Sequence, residues 1–176
     1  MRTRMLILTA FFAVLTAVGA FIRIPTPVSN FSLQMLFTCM AGLLLGPKWG
    51  AVSQAIYIAL GLAGLPVFTL GGGLSYVLQP TFGFLLGLIG CAWLVGHLTR
   101  NRRDFKRLFF ACLAGTGMVY LVGLPWMHGI LTLHMDLEMT FRQTLVWGML
   151  VFIPADIAKA AASAYLASKL LPRLGR

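Results

Sequence analysis

The sequence predicts an all-α polytopic membrane protein, a bundle of six transmembrane helices with both termini in the cytoplasm. Three observations lead there. Of 176 residues, 59% are hydrophobic and only 10% are charged, which lies well outside the range of soluble domains. Apolar runs recur along the whole chain, divided by Gly, Pro and clustered basic residues. The basic residues also fall overwhelmingly on one side of those runs. Because the runs continue to the end, the first is read as a retained span rather than a cleaved leader. Residues 1–176 are read as one integral membrane domain.

The apolar runs bounded by breakers are 5–22, 33–45, 51–65, 80–98, 108–127 and 154–171. The second and third fall short of the ~20 residues that usually span a bilayer. They are expected as short, tilted helices joined by the GPKWG turn at 46–50. Residues 141–153 are apolar too, and joined to the last run they would give a helix of about 30 residues, roughly 45 Å long. Pro154 argues for a break, since proline is favoured in a first helical turn, where its missing N–H costs nothing. Starting at Pro154, the last helix would be about 27 Å long, close to a bilayer core. Residues 141–153 are then expected to form a cap or re-entrant segment over the mouth of the bundle.

Charge sets the orientation. Arg2, Arg4, Lys48, Arg100, Arg102, Arg103, Lys106, Arg107, Lys169, Arg173 and Arg176 share one side of six spans, against Arg23 and Arg142 on the other. The positive-inside rule places that first side in the cytoplasm and accounts for the net charge of +10. The NRRDFKR stretch at 101–107 is accordingly a juxtamembrane loop, and nucleic acid is rejected as a partner. Membrane lipid surrounds the chain.

Asp156 and Lys159 stand out in FIPADIAKAAASAYLASKL, since no other segment as hydrophobic holds an acid. Ionisable groups at membrane depth cost a few kcal/mol, and a spacing of three puts both on one helix face. On the predicted topology Asp156 occupies the first turn of the last helix at its outer end, where the helix dipole favours negative charge. Small residues Ala160, Ala161, Ala162, Ser163 and Ala164 follow and leave space beside the charges. A roomy apolar pocket with convergent polar groups is the usual form of a small-molecule site. A structural ion pair that fixes helix rotation is the bland alternative. Trp126 and Trp147 can serve as pocket walls or as interfacial belt residues.

Other features carry less. The charge-free loop with Gly71, Gly72 and Gly73 is expected to fold back into the bundle, where glycine permits close backbone approach; an ordinary turn is the other reading. No GxxxxGK motif occurs, so ATP is not bound through a P-loop. Energy must come from a partner or a gradient. Cys39, Cys91 and Cys112 lack paired spacing and suggest neither a disulfide framework nor a zinc site. His128, His134, Asp136 and Glu138 read as a solvated loop, so no metal is expected. Thr9, Ala13 and Ala17 recur at four-residue spacing, a small-residue stripe suited to close helix approach, inside this bundle or against a partner.

Taken together, IPTPVSNFSLQMLF at 24–37, AGLLLGPKWGAVSQAIYIALGLAGLPVF at 41–68, GGGLSYVLQPTFGFLLG at 71–87 and FIPADIAK at 152–159 resemble the BioY family, the biotin-binding S components of energy-coupling-factor (ECF) vitamin transporters. The resemblance covers nearly the whole chain in order. It implies a cell-membrane protein that captures biotin from outside and delivers it by docking with a transmembrane coupling subunit and two ATPases. No catalytic residue and no cofactor are implied. The resemblance also implies that Asp156 and Lys159 contact the biotin head group, with Gln34 and Gly71, Gly72 and Gly73 as further contacts. A capping amide is the alternative for Gln34. It further assigns Thr9, Ala13 and Ala17 to docking on the coupling subunit. Gln79 and Phe82 stand where the family usually places glycines, which implies a reshaped mouth. Three other readings stay open at this point: an S component for another vitamin, an intramembrane enzyme using Asp156 as acid or base, and a purely structural membrane subunit.

Overall fold

The computed structural model describes residues 2–25, 30–100, 104–135 and 140–172. The first long apolar run forms α1 (Arg2–Phe21), followed by a short antiparallel hairpin, β1 (Arg23–Pro25) and β2 (Asn30–Ser32), that pairs Arg23 with Ser32. Apart from that hairpin, which an all-helical expectation omits, regular structure among the described residues is helical. It continues with α2 (Gln34–Leu62), α3 (Phe82–Leu98), α4 (Phe105–Leu133), α5 (Phe141–Leu145) and α6 (Ile153–Leu170). By length and composition, α1, α2, α4 and the stretch Phe141–Leu170 are each able to cross a membrane; α3 is shorter.

Helix α2 is not one rod. Gly46 adopts φ 82° and ψ −179° ahead of Pro47, a backbone that glycine tolerates and other residues avoid. The chain turns back there. Gln34 Nε2 donates to the Tyr57 hydroxyl (2.8 Å), Thr38 Oγ1 donates to Gln54 Oε1 (3.0 Å), and a Cβ on Gly50 would lie 3.0 Å from the Gly42 Cα. Those pairings, sliding inward from both ends, describe two antiparallel arms, 34–45 and 47–62. The arms meet α3 in a seam of glycines: a Cβ on Gly42 would come within 2.6 Å of the Ala92 carbonyl oxygen, and one on Gly96 within 2.4 Å of the Pro47 nitrogen.

Gln54, fully buried, binds this end together. Its amide nitrogen donates to Thr16 of α1 (3.2 Å) and to Ser53 (3.1 Å), while its oxygen accepts from Thr38. Buried polar groups in an apolar surround hold when each has a partner. Cys39, Cys91 and Cys112 are buried nearby on α2, α3 and α4 without a disulfide.

Two expectations change. Thr9 and Ala13 are only 1% and 3% exposed, so these two stripe residues of α1 pack inside the chain, with Ala17 half-buried. The residues α1 turns outward are instead Leu6, Ile7, Phe11, Val14 and Val18. The segment before the last helix also departs from the sequence reading. Residues 146–150 form a π-turn, in which the Val151 N–H bonds the Val146 carbonyl (3.3 Å), and a turn at 151–152 leads on into α6. The start of α6 at Ile153 puts Pro154 in the first turn, where its missing N–H costs nothing, as the sequence reading expected. Segment 141–152 therefore runs antiparallel to the far end of α4, with Thr144 bonded to His128 (3.2 Å) and Gly148 against Leu124 and Met127. It extends α6 and does not lie as a separate cap. Asp136 and Glu138, Arg102 and Arg103, Arg173 and Arg176 and residues 26–29 lie outside the described residues.

Candidate functional site

A cavity of about 110 Å³ opens between α2, α3, α4, α6 and the loop that precedes α3. Roughly 10–15 Å³ measured the same way holds one water, so this space is sized for an organic molecule. Asp156 and Lys159 line it, as does Gln34.

The ion pair is buried: both residues are 8% exposed, and Lys159 Nζ lies 2.5 Å from Asp156 Oδ1. Their spacing on α6 sets the geometry. Two further groups hold them. The Tyr120 hydroxyl of α4 donates to Asp156 Oδ2, and Lys159 Nζ donates to the Ser32 carbonyl at 3.3 Å. Asp156 stands in the first turn of α6, as the sequence placed it, and its N–H makes the first bond of that helix, to the carbonyl of the N-cap Phe152 at 2.9 Å. Lys159 and Tyr120 add their stabilisation to that of the helix end. An ionised carboxylate has about four acceptor positions, so Asp156 retains acceptor capacity after binding both.

Gln34 is 7% exposed and sits in a chain: Ser32 Oγ donates to its oxygen (2.8 Å), its nitrogen donates to Tyr57, and the Tyr57 hydroxyl donates to the Val67 carbonyl (3.0 Å). It thereby ties the start of α2 to the loop before α3. Gly71, Gly72 and Gly73 do not line the cavity. Gly71 and Gly73 take φ of 115° and 103°, and a Cβ on Gly72 would fall 2.1 Å from the Leu65 carbonyl oxygen. These glycines shape the loop that brings Thr69 and Tyr76 to the wall. Gln79 is exposed, and Phe82 packs on Trp126 at 5.6 Å; neither lines the cavity. Trp126 and Trp147 also stay off the wall.

The walls are instead aromatic through Tyr76, Phe84, Tyr120 and Phe152, and aliphatic through Met35, Leu85, Leu88 and Val119. Phe84 and Tyr120 meet edge to face at 6.3 Å. Tyr120 was missed in the sequence, although Thr116 and Tyr120 put two polar groups four apart on one face of an apolar helix. That is the signal that singled out Asp156 and Lys159. Among the described residues no cluster of His, Cys, Asp or Glu could hold a metal ion.

Comparison with known proteins follows the same lines. The sequence matches the BioY family model over residues 1–176. The chain belongs to the BioY family. A "Probable biotin transporter BioY" of Lysinibacillus sphaericus is 43% identical over 96% of this chain and 87% of its own length. The "Biotin transporter BioY" of Thermotoga maritima is 32% identical, with 95% of both chains covered. Among solved structures, the S-component for biotin from an ECF-type ABC transporter superposes with a TM-score of 0.84 at 27% identity, covering 97% of this chain and 92% of that one. This BioY-family chain therefore has the S-component fold and is a multi-pass membrane protein.

Proposed function

We propose that the chain is the biotin-capturing S component of an ECF-type vitamin transporter of the cell membrane. The observation that carries the proposal is the Asp156–Lys159 pair lining a cavity with apolar walls. A ureido ring has two N–H donors and one carbonyl acceptor. Asp156 keeps acceptor capacity and Lys159 is a charged donor, so the pair matches that head group through the stronger, charge-assisted class of hydrogen bond. Met35, Leu85, Leu88 and Val119 suit the thiophane ring and alkyl chain. Gln34 and the Gly71 to Gly73 loop act on the site by positioning it. The relatives that share most of this chain's length are named as biotin transporters, and no reaction is assigned to the chain.

In this reading the two arms of α2 count as separate spans, six in all, and the basic ends of the chain face the cytoplasm. The cavity then opens outward. Delivery relies on a transmembrane coupling subunit and two ATPases, because the sequence has no P-loop of its own. Equilibrium binding of biotin, thiamine and riboflavin to purified protein in detergent tests the cargo. Biotin should bind at micromolar concentration or below and the others should not; no biotin binding there ends the proposal.

A further inference from the structure

The cavity holds a second polar group besides the ion pair. Thr69, Tyr76 and Thr81 all line it, carried on the segment that leads into α3. The Tyr76 hydroxyl stands between the other two, 2.9 Å from Thr69 Oγ1 and 3.5 Å from Thr81 Oγ1. Three hydroxyls bring three protons to two contacts, so at least one O–H has no use inside the trio, whichever way the protons point. The longer contact also exceeds the usual 2.5–3.0 Å of an O–H···O bond. An acceptor lodged there would receive donors from both sides.

Elsewhere around the cavity the hydroxyl protons are spent. Ser32 donates to Gln34, Thr116 to the Cys112 carbonyl and Tyr120 to Asp156. Thr81 is different: it precedes the first residue of α3 yet makes no side-chain cap, the use a threonine at that place normally has. Tyr76 is 4% exposed with its ring 4.5 Å from Phe68, and its loop is pinned where the Gly73 N–H bonds the Gly61 carbonyl at 2.7 Å. Its hydroxyl is held in place. Among the described residues lining the cavity, Lys159 is the one cation, and it is engaged with Asp156.

We propose that Thr69, Tyr76 and Thr81 form a tail subsite, which receives the hydrogen-bond acceptor at the far end of the ligand from neutral O–H donors. Resting on the biotin reading above, that acceptor is the valerate carboxylate. The trio then decides specificity for the tail while Asp156 and Lys159 decide it for the head.

The test compares biotin with an analogue that keeps the bicyclic head but ends its side chain in a methyl group. Unsubstituted protein should bind biotin more tightly than the analogue. Tyr76→Phe keeps the ring and deletes the hydroxyl; it should weaken biotin binding about tenfold, as expected for a lost hydrogen bond to a charged group, and leave the analogue unchanged. Thr81→Val should act in the same direction. Equal affinity of the unsubstituted protein for both ligands, or equal losses for both in the variants, overturns the subsite while the biotin reading stands. No binding of biotin at all removes both.

Discussion

The hydroxyl of Tyr120 on α4 donates to the carboxylate of Asp156 on α6, across 36 residues of sequence. It holds Oδ2 while Lys159 holds Oδ1, so the orientation of the charged pair depends on a neutral group on another helix. Such a contact is a positioning device. It couples the packing of α4 against α6 to the geometry of the site.

Tyr120→Phe deletes an internal hydrogen bond to a charged acceptor, so it should lower stability in detergent unfolding by up to about 1.5–3 kcal/mol. Because the carboxylate then loses its fixed orientation, biotin binding should also weaken, by about tenfold. A titration that shows unchanged affinity would remove Tyr120 from the site.

Asp156→Asn and Lys159→Met each strand one buried charge, which typically costs about 3–5 kcal/mol. The double variant strands neither. It should be more stable than the sum of the single losses predicts, while biotin binding is lost in all three. Strictly additive losses in denaturant unfolding would mean that the two groups do not interact.

Gly72→Ala should abolish ligand capture and leave the bundle folded, because the new methyl has nowhere to go beside the Leu65 carbonyl and the loop bearing Thr69 and Tyr76 must move. Gly117→Ala, with no atom within 4 Å of the added carbon, serves as its control. Binding assays on the pair decide the matter. Equal affinities would show that the loop does not shape the site.

Ala13→Leu should lower stability by about 1–3 kcal/mol through overpacking, since Ala13 is 3% exposed on the inner face of α1. Val14→Leu, at a position 59% exposed, should be neutral. Unfolding curves for both separate internal packing from a docking face. Tolerance of Ala13→Leu would reopen the reading of that stripe as a contact for the coupling subunit.

What was legible in the sequence was legible because it was expensive. Asp156 and Lys159 violate the apolar run around them, and the GPKWG turn combines a helix breaker with a residue free to take positive φ. The position of the pair and the chain reversal at Gly46 follow from those violations. Tyr76 and Tyr120 escaped because a tyrosine in an apolar stretch serves equally well as core, interface or site. The π-turn at 146–150 escaped for a different reason: Pro154 rightly marked the first turn of α6, but no periodicity announces a turn of that width, so the residues before it read as a separate segment. The stripe on α1 reads the same whether its neighbour is this chain or another.

The glycine seam, finally, divides the chain's freedom to vary. Where Gly42 and Gly96 press against Ala92 and Pro47, there is no slack for even one more methyl group, so bulk alone governs which changes survive. Around the cavity there is room, and there the currency is donors and acceptors. Cargo preference can thus drift through swaps of polar chemistry at one end while the tight end, indifferent to what is carried, keeps the scaffold unaltered.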